Sequence, residues 1–168
     1  MKISVITATY NRASTIVRAL QSIKNQTYSN VQLVIIDGAS TDDTLELIQP
    51  VLSSFDIICS EKDYGIYDGL NKGINISDGE VIAFLHSDDI YFDKNTLSIV
   101  MNIFEDNDID VVYGDVSFFK ENNLEKVTRI YRSDELSLKN LAWGKMPAHP
   151  ATFIRRRVYE KIGIFKID

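Results

Sequence analysis

Short apolar runs alternate with amphipathic stretches over the first part of the chain. Ile3–Thr7, Val31–Asp37, Phe55–Ser60 and Val81–Leu85 read as strands, and Ser14–Asn25, Asp42–Leu52, Ile66–Ile76 and Asn95–Phe104 read as helices. Val34-Ile35-Ile36 and Val81-Ile82-Ala83-Phe84-Leu85 are almost continuously apolar, as expected of parallel strands covered on both faces. In Ser14–Asn25 the apolar residues Ile16, Val17, Leu20 and Ile23 recur at helical spacing, with Arg18, Gln21 and Lys24 facing away. Strand–helix repetition predicts a doubly wound sheet with right-handed crossovers.

The second half has a different rhythm. Val111–Tyr113, Val116–Phe119 and Val127–Tyr131 suggest strands, with Glu121-Asn122-Asn123 as a polar turn between the last two. Such strands make the sheet mixed. Ser133–Leu141 reads as a short helix, Ala151–Ile154 as a strand, and Arg156–Ile162 as a final helix stopped by Gly163. No repeat, low-complexity tract or linker divides the sequence, so it reads as one domain over residues 1–168.

Polar groups collect where the predicted strands end. Thr7-Ala8-Thr9-Tyr10-Asn11-Arg12 follows the first, Asp37-Gly38-Ala39-Ser40-Thr41-Asp42 the second, Glu61-Lys62-Asp63 the third and His86-Ser87-Asp88-Asp89 the fourth. A parallel sheet brings these ends to one edge, where open α/β sheets place their ligands. Asp88 and Asp89 together suit a hard divalent cation that neutralises a diphosphate. The bland alternative is that one of them caps the helix beginning near Asp93 or Lys94. Asp37 is a candidate acceptor for the imide N–H of a pyrimidine, with Tyr10 packed on the base. Gly38 is expected to supply a positive φ, Ser40 or Thr41 to cap the next helix, and Asp42 and Asp43 to favour its first turn.

Gly65, Gly69 and Gly73 recur at helical spacing and predict a smooth stripe that lets a helix lie close to the sheet. Asp68, on the same stretch, is placed near the edge that carries Asp88. No Gly-x-Gly-x-x-Gly follows the first strand and no Walker-type loop is present, so phosphate handling falls to a cation or to side chains. His149, between Pro147 and Pro150, is either a site residue or a satisfied loop histidine, and His86 an orienting or packing group. Arg155-Arg156-Arg157 reads as a solvated face.

Composition narrows the field. An apolar fraction of 45% and a charged fraction of 25% are those of a soluble globular protein. A net charge of −6 argues against a general nucleic-acid binder. The lone Cys59 sits in an apolar run and reads as core packing. The apolar stretch Ile3–Thr7 is too short for a signal peptide or a span, and no later run is long enough, so cytoplasmic residence is the default expectation.

Taken together the segments resemble the family-2 glycosyltransferases, inverting enzymes of the GT-A fold. The matching pieces are Ile3–Arg12, Val34–Asp42, Asp63–Gly73, Gly79–Asp89, Val112–Asp115 and His149–Phe153, in the family's order. The resemblance implies a three-layer α/β/α sandwich with a mostly parallel, mixed central sheet. It implies transfer of a sugar from a nucleoside diphosphate donor to a hydroxyl of a saccharide or lipid-linked saccharide acceptor, in bacterial surface polysaccharide or lipopolysaccharide synthesis. Peripheral association with the cytoplasmic face of the membrane would follow. By the same resemblance Asp89 ligates Mn²⁺ or Mg²⁺, Asp88 contacts the ribose or sugar side, and Thr7, Ala8, Tyr10 and Asp37 form the nucleoside pocket, with Asp68 nearby.

Three departures stand out. Asp37-Gly38 occurs where many members have two aspartates, and Pro150 follows His149 where glutamine is common. The family's catalytic carboxylate falls shortly after the stretch matching Gly163-Ile-Phe165, which places it past Asp168, so a domain truncated at its C-terminal end is expected. Asp168 is a poor substitute, and Asp115 and His149 are the remaining candidates within the chain. The alternative function is a non-catalytic nucleotide-sugar-binding module. A sugar-nucleotide pyrophosphorylase is disfavoured because Thr7–Arg12 lacks a Gly-rich basic loop.

Overall fold

The protein is described by a computed structural model covering residues 1–120, 123–133 and 137–167, apart from the side chains of residues 124, 125 and 138. In chain order the elements are β1 (Ile3–Thr9), α1 (Ile16–Lys24), β2 (Val31–Asp37), α2 (Thr44–Ile48), β3 (Ile57–Ser60), α3 (Ile66–Ile76), β4 (Val81–Phe84) and α4 (Thr96–Asp106). There follow β5 (Val111–Tyr113), β6 (Val116–Lys120), β7 (Asn123–Tyr131), α5 (Leu138–Ala142), β8 (Thr152–Arg155) and α6 (Arg156–Ile162). Single 3₁₀ turns at Gln49–Val51 and His149–Ala151 each carry a proline near their start. Asp168 and the Glu121-Asn122 part of the expected turn lie outside the described residues, as does part of the expected helix Ser133–Leu141.

Six strands form the main sheet in the order β3-β2-β1-β4-β8-β5. The first four are mutually parallel, and β8 runs antiparallel to both of its neighbours. The sheet is therefore mostly parallel and mixed, as its near-continuous apolar runs predict. One expectation changes: β6 and β7 do not join it but pair with each other as a separate antiparallel ribbon with register shifts around Phe119.

Strand alternation sorts the core into two layers. Ile3, Val5, Leu33, Ile35, Val81 and Ala83 face α1, α2 and α4, packing on Ile16, Leu20, Ile48, Leu97 and Phe104. Ile6, Val34, Ile36, Ile82 and Phe84 face Leu70 and Ile74 of α3, with Tyr159 and Phe165 at the margin. The result is the three-layer sandwich. The two large layers explain why the central strands carry almost no charge.

Of the three arginines at the start of α6, Arg155 and Arg156 do not form a solvated face. The Arg155 guanidinium donates to the carbonyls of Ile109 and Phe104, both at 2.7 Å, closing the end of α4. Arg156 donates to Gly79 O at 2.7 Å, Ile74 O at 3.2 Å and Ser77 Oγ at 2.8 Å, closing the end of α3. Arg157 pairs with Asp108 and Asp110 at the surface. Cations suit helix C-termini because the last carbonyls there lack partners and carry partial negative charge.

Candidate functional site

The carboxyl ends of β3, β2, β1 and β4 lie side by side, and the loops leaving them build one rim. The loops after β1 and β2 are stitched together by polar side chains. Gly38 N–H donates to Thr9 O at 2.9 Å, Asn11 N–H to Ser40 Oγ at 2.9 Å, and Thr41 N–H to Asn11 Oδ1 at 2.8 Å. Asn11 holds φ at 51°, a left-handed conformation that asparagine tolerates. The helix that follows has Asp43 at its N-cap with no side-chain cap bond, and Asp42 Oδ1, one residue earlier, accepts from Thr44 N–H at 3.1 Å and Thr44 Oγ at 2.5 Å. Neither Ser40 nor Thr41 caps it.

Asp37 belongs to this scaffolding. It has no exposed surface, and by strand parity it faces the α1–α2 layer. Its Oδ2 accepts from Ser40 N–H at 2.9 Å and Ser60 Oγ at 2.7 Å, and its Oδ1 from Ser40 Oγ at 2.5 Å. In this structure the Asp37 carboxylate orders the loop after β2. Thr7 is also fully buried on that face, with its hydroxyl unpartnered among the described residues. Ala8 and Tyr10 lie on the opposite, α3-facing side, so the four expected pocket residues divide between two faces.

Gly38 is not the residue with positive φ. Ala39 holds φ at 62°. Glycine is required at 38 for a different reason, because a Cβ there would fall 2.7 Å from Asp63 Oδ2 and 3.5 Å from the Tyr10 ring. Asp63 thus packs against Gly38 and lies close to Gly69, a position that the sequence pattern does not single out. Asp68 stands next to it at the start of α3. Its Oδ2 accepts from Tyr64 N–H at 3.1 Å and lies 3.2 Å from Lys72 Nζ. The Tyr64 N–H, aided by Lys72, holds the Asp68 carboxyl below its ordinary pKa.

The loop after β4 carries the acid pair. Asp89 N–H donates to His86 O at 3.1 Å, a turn that buries Ser87 and leaves Asp88 exposed. Burial, and then the neighbouring Asp88 charge, raise the Asp89 pKa to about 6. The capping alternative fails, since α4 begins at Thr96, whose N–H donates to Asp93 O, and Leu97 N–H donates to Gln26 Oε1. Among the described residues no cluster of three or more His, Cys, Asp or Glu is arranged to hold a metal. Two carboxylates nevertheless suit the mode in which a cation takes its remaining ligands from substrate phosphates and water.

Two cavities meet at Asp89. One of about 400 Å³ is lined by Arg12, Ser14, Thr15, Arg18 and Asp88, and is closed by Val116–Phe119 of the ribbon. An apolar one of about 620 Å³ runs between α4 and the ribbon, with Asp115 and Arg132 on its wall. Asp115 Oδ1 accepts from Ser133 N–H at 2.8 Å, which ties the two ends of the ribbon together. A further cavity, of about 640 Å³, lies at the amino ends of β1 and β2, away from this rim. His149 is on the α3 side, packed against Tyr67, Phe84 and Phe165 at centroid distances of 6.4, 6.5 and 6.0 Å. Burial, and then the nearby His86, lower its pKa. Burial likewise lowers that of His86, against an opposing effect of Asp88.

A mixed sheet with a parallel 3-2-1-4 core and helices on both faces is the architecture of the GT-A fold. The chain belongs to the glycosyl transferase family 2, whose model matches residues 4–163. Staphylococcus aureus TarS 1–349, solved in complex with UDP-GlcNAc, superposes with a TM-score of 0.77 at 22% identity, over 96% of this chain and 47% of that one. The mannosyltransferase PcManGT from Pyrobaculum calidifontis, solved with GDP-Man and Mn²⁺, gives 0.74 at 22% identity, over 99% and 48%. In sequence, a PGL/p-HBAD biosynthesis glycosyltransferase of Mycobacterium bovis is 32% identical over 98% of this chain. The chain spans 63% of that relative's length. The Escherichia coli glucosyltransferase WfaP, named for UDP-Glc and α-D-GlcNAc-diphosphoundecaprenol, is 40% identical over 53% of this chain and 36% of its own length.

Proposed function

We propose that this chain binds the donor of an inverting glycosyltransferase, a nucleoside diphosphate sugar, and that the whole enzyme transfers the sugar to an acceptor hydroxyl. The observation that carries the reading is the half-buried Asp89 beside Asp88 at the rim formed by the parallel strand ends. Two carboxylates forced together at that place are relieved by a divalent cation. Asp89 would hold Mn²⁺ or Mg²⁺, with Asp88 toward the ribose or sugar. Bound there, the ion supplies charge neutralisation for the departing diphosphate.

The remaining roles follow from position. Ala8 and Tyr10 line the nucleoside side of the rim, with Asp68 at its edge. Thr7 and Asp37 support that rim from beneath. Asp115 is the candidate base within the chain, because it lines the apolar cavity together with Asp89. His149 is a second candidate, held neutral at physiological pH by its lowered pKa. The acceptor is a saccharide or a lipid-linked saccharide. Its setting is surface polysaccharide or lipopolysaccharide synthesis in the cytoplasm, at the inner face of the membrane. The apolar cavity beside Asp89 and the relative named for a diphosphoundecaprenol acceptor favour the lipid-linked form. Among the described residues no helix is long and apolar enough to cross a membrane.

Calorimetry with UDP, GDP and Mn²⁺ tests the donor site. One nucleotide should bind in a Mn²⁺-dependent manner, and Asp89→Asn should abolish the dependence without lowering thermal stability. Equal nucleotide binding by the variant, or none by the wild type, would reject the assignment.

A further inference from the structure

We infer that the β6–β7 ribbon and the turn that ends α5 form a docking face for a bilayer of anionic lipid, with Trp143 inserted among the headgroups. The inference deepens the membrane setting proposed above and rests on that reading for the identity of the lipid-linked substrate. Three observations carry it. First, charge is divided unevenly along the chain. Residues 1–115 hold 7 Lys and Arg against 18 Asp and Glu, a net charge of −11, whereas residues 116–168 hold 11 against 6, a net charge of +5. In that second part Arg155, Arg156 and Arg157 are engaged by helix ends and by Asp108 and Asp110. Lys120, Lys126, Arg129 and Lys139, on the ribbon and α5, are exposed.

Second, Trp143 is 84% exposed on a turn whose backbone is fully hydrogen-bonded. Gly144, with φ at 82°, donates its N–H to Leu141 O at 2.9 Å, and Lys145 N–H donates to Asn140 O at 3.0 Å. These paired bonds are the Schellman closure of a helix C-terminus, and they fix Trp143 at the end of α5. Leu141 and Met146, close by in sequence, are exposed as well. Third, the ribbon carries a matching face. Phe118 and Arg129 are partners in its register, and the Arg129 guanidinium lies 5.5 Å from the centroid of the exposed Phe118 ring. Arg129 and Tyr131 alternate onto one side, and Tyr131 Oη donates to Met146 O at 2.8 Å, so the α5 turn lies on the side that carries Phe118.

The mixture of residue types decides between a protein and a membrane. Lysine is depleted at protein interfaces, whereas tryptophan beside lysine and arginine suits the boundary between headgroups and acyl chains. The acidic remainder of the molecule is repelled by an anionic bilayer, so approach is oriented with this face leading. Val127 and Ile130 of the same ribbon line the apolar cavity beside Asp89. A bilayer held by the ribbon therefore lies beside the cavity that suits a lipid-linked acceptor.

Trp143 is the chain's single tryptophan, so its fluorescence reports on this face alone. The test titrates the 168-residue chain with vesicles of phosphatidylcholine, with and without phosphatidylglycerol, and follows emission and co-sedimentation. The anionic vesicles should shift the emission to the blue and carry the protein down, less so as salt is added, and the neutral ones should bind far less. Trp143→Ala should lower affinity for the anionic vesicles about 10–100-fold, the effect of burying a large apolar side chain. Lys126→Gln combined with Arg129→Gln should lower it about fivefold for each cation removed. Equal binding to both kinds of vesicle would overturn the inference, as would wild-type affinity in both variants when folded. So would a blue shift that grows with protein concentration without vesicles, which would give the face to a second copy of the chain. The donor site is read separately, by Mn²⁺-dependent nucleotide binding without lipid, which Trp143→Ala should leave unchanged. Its absence in the wild type would reject the donor reading alone.

Discussion

Asp89 is a carboxyl group whose folded environment favours the wrong charge state for a metal ligand. Its pKa of about 6 lies above the ordinary 3.8, chiefly through burial. Between those two values the native state keeps a proton that the unfolded chain releases, so this group's contribution to stability falls as pH rises through that window. Only the ionised form serves a cation, so Mn²⁺ affinity must rise over the same interval. Two outcomes are expected from thermal denaturation at pH 5 and pH 7.5. Asp89→Asn should gain stability relative to wild type at the higher pH, on the order of 1–3 kcal/mol before any metal is added. Added Mn²⁺ should raise the wild-type melting temperature at pH 7.5 much more than at pH 5, and leave the variant unmoved. A Mn²⁺ effect independent of pH would mean that another group binds the ion. The contrast with Asp37 is one of partners: the carboxylate at an equivalent strand end is fully buried and already met by three donors.

Element packing turns on what each glycine faces. A Cβ on Gly73 would fall 2.4 Å from Ile6 Cγ2, a rigid β-branched side chain in the sheet, whereas one on Gly69 would find its neighbours at 3.6 Å or more. Gly65 faces open space and instead holds φ at 109° where α3 begins. The three-residue stripe read from the sequence is therefore a packing pair plus a cap. Gly73→Ala should cost about 1–3 kcal/mol in urea denaturation, as overpacked cores do. Gly69→Ala should be neutral or gain up to about 1 kcal/mol of helix propensity. Equal losses would show that α3 is not seated against Ile6 as described. The strands of the parallel core were legible because each is an apolar run covered on both faces, and the acid pair because it ends one of them. Partner choice was not: Val116–Lys120 reads as a strand, but nothing local says that it pairs only with β7. The same holds for Arg155 and Arg156, whose acceptors lie far back in the sequence on helices they close. The inward turn of Asp37 was readable, since Leu33, Ile35 and Asp37 alternate onto one face. Asp63 was not, because its place depends on the Gly65 turn and on the space above Gly38.

At the scale of the molecule, the sheet and the ribbon are held by different means. Strands β1, β2 and β4 are sealed between two apolar layers, so their amides should open only with global unfolding. The β6–β7 ribbon exposes Phe118, Val127 and Ile130. It is fastened by single contacts: Arg18 over the Phe119 ring at 5.9 Å, Tyr131 Oη to Met146 O at 2.8 Å, and the Asp115–Ser133 tie. Few buried contacts mean a low local opening energy, so ribbon amides should exchange orders of magnitude faster than those of β1 under native conditions. The ribbon also closes the cavity lined by Asp88, Asp89 and Arg12. A ligand bound at the acid pair therefore couples to it: whatever stabilises the closed arrangement stabilises the ribbon by mass action. Hydrogen exchange read by mass spectrometry should show slowed exchange in the loops after β1 and β4 when nucleotide and Mn²⁺ are added, and in residues 116–119 as well. Asp89→Asn should erase both effects, while Arg18→Gln, which removes the cation over Phe119, should raise ribbon exchange without touching β1. Ribbon amides as protected as those of β1 in the free protein would refute this two-tier picture, and so would protection of the loops alone on binding.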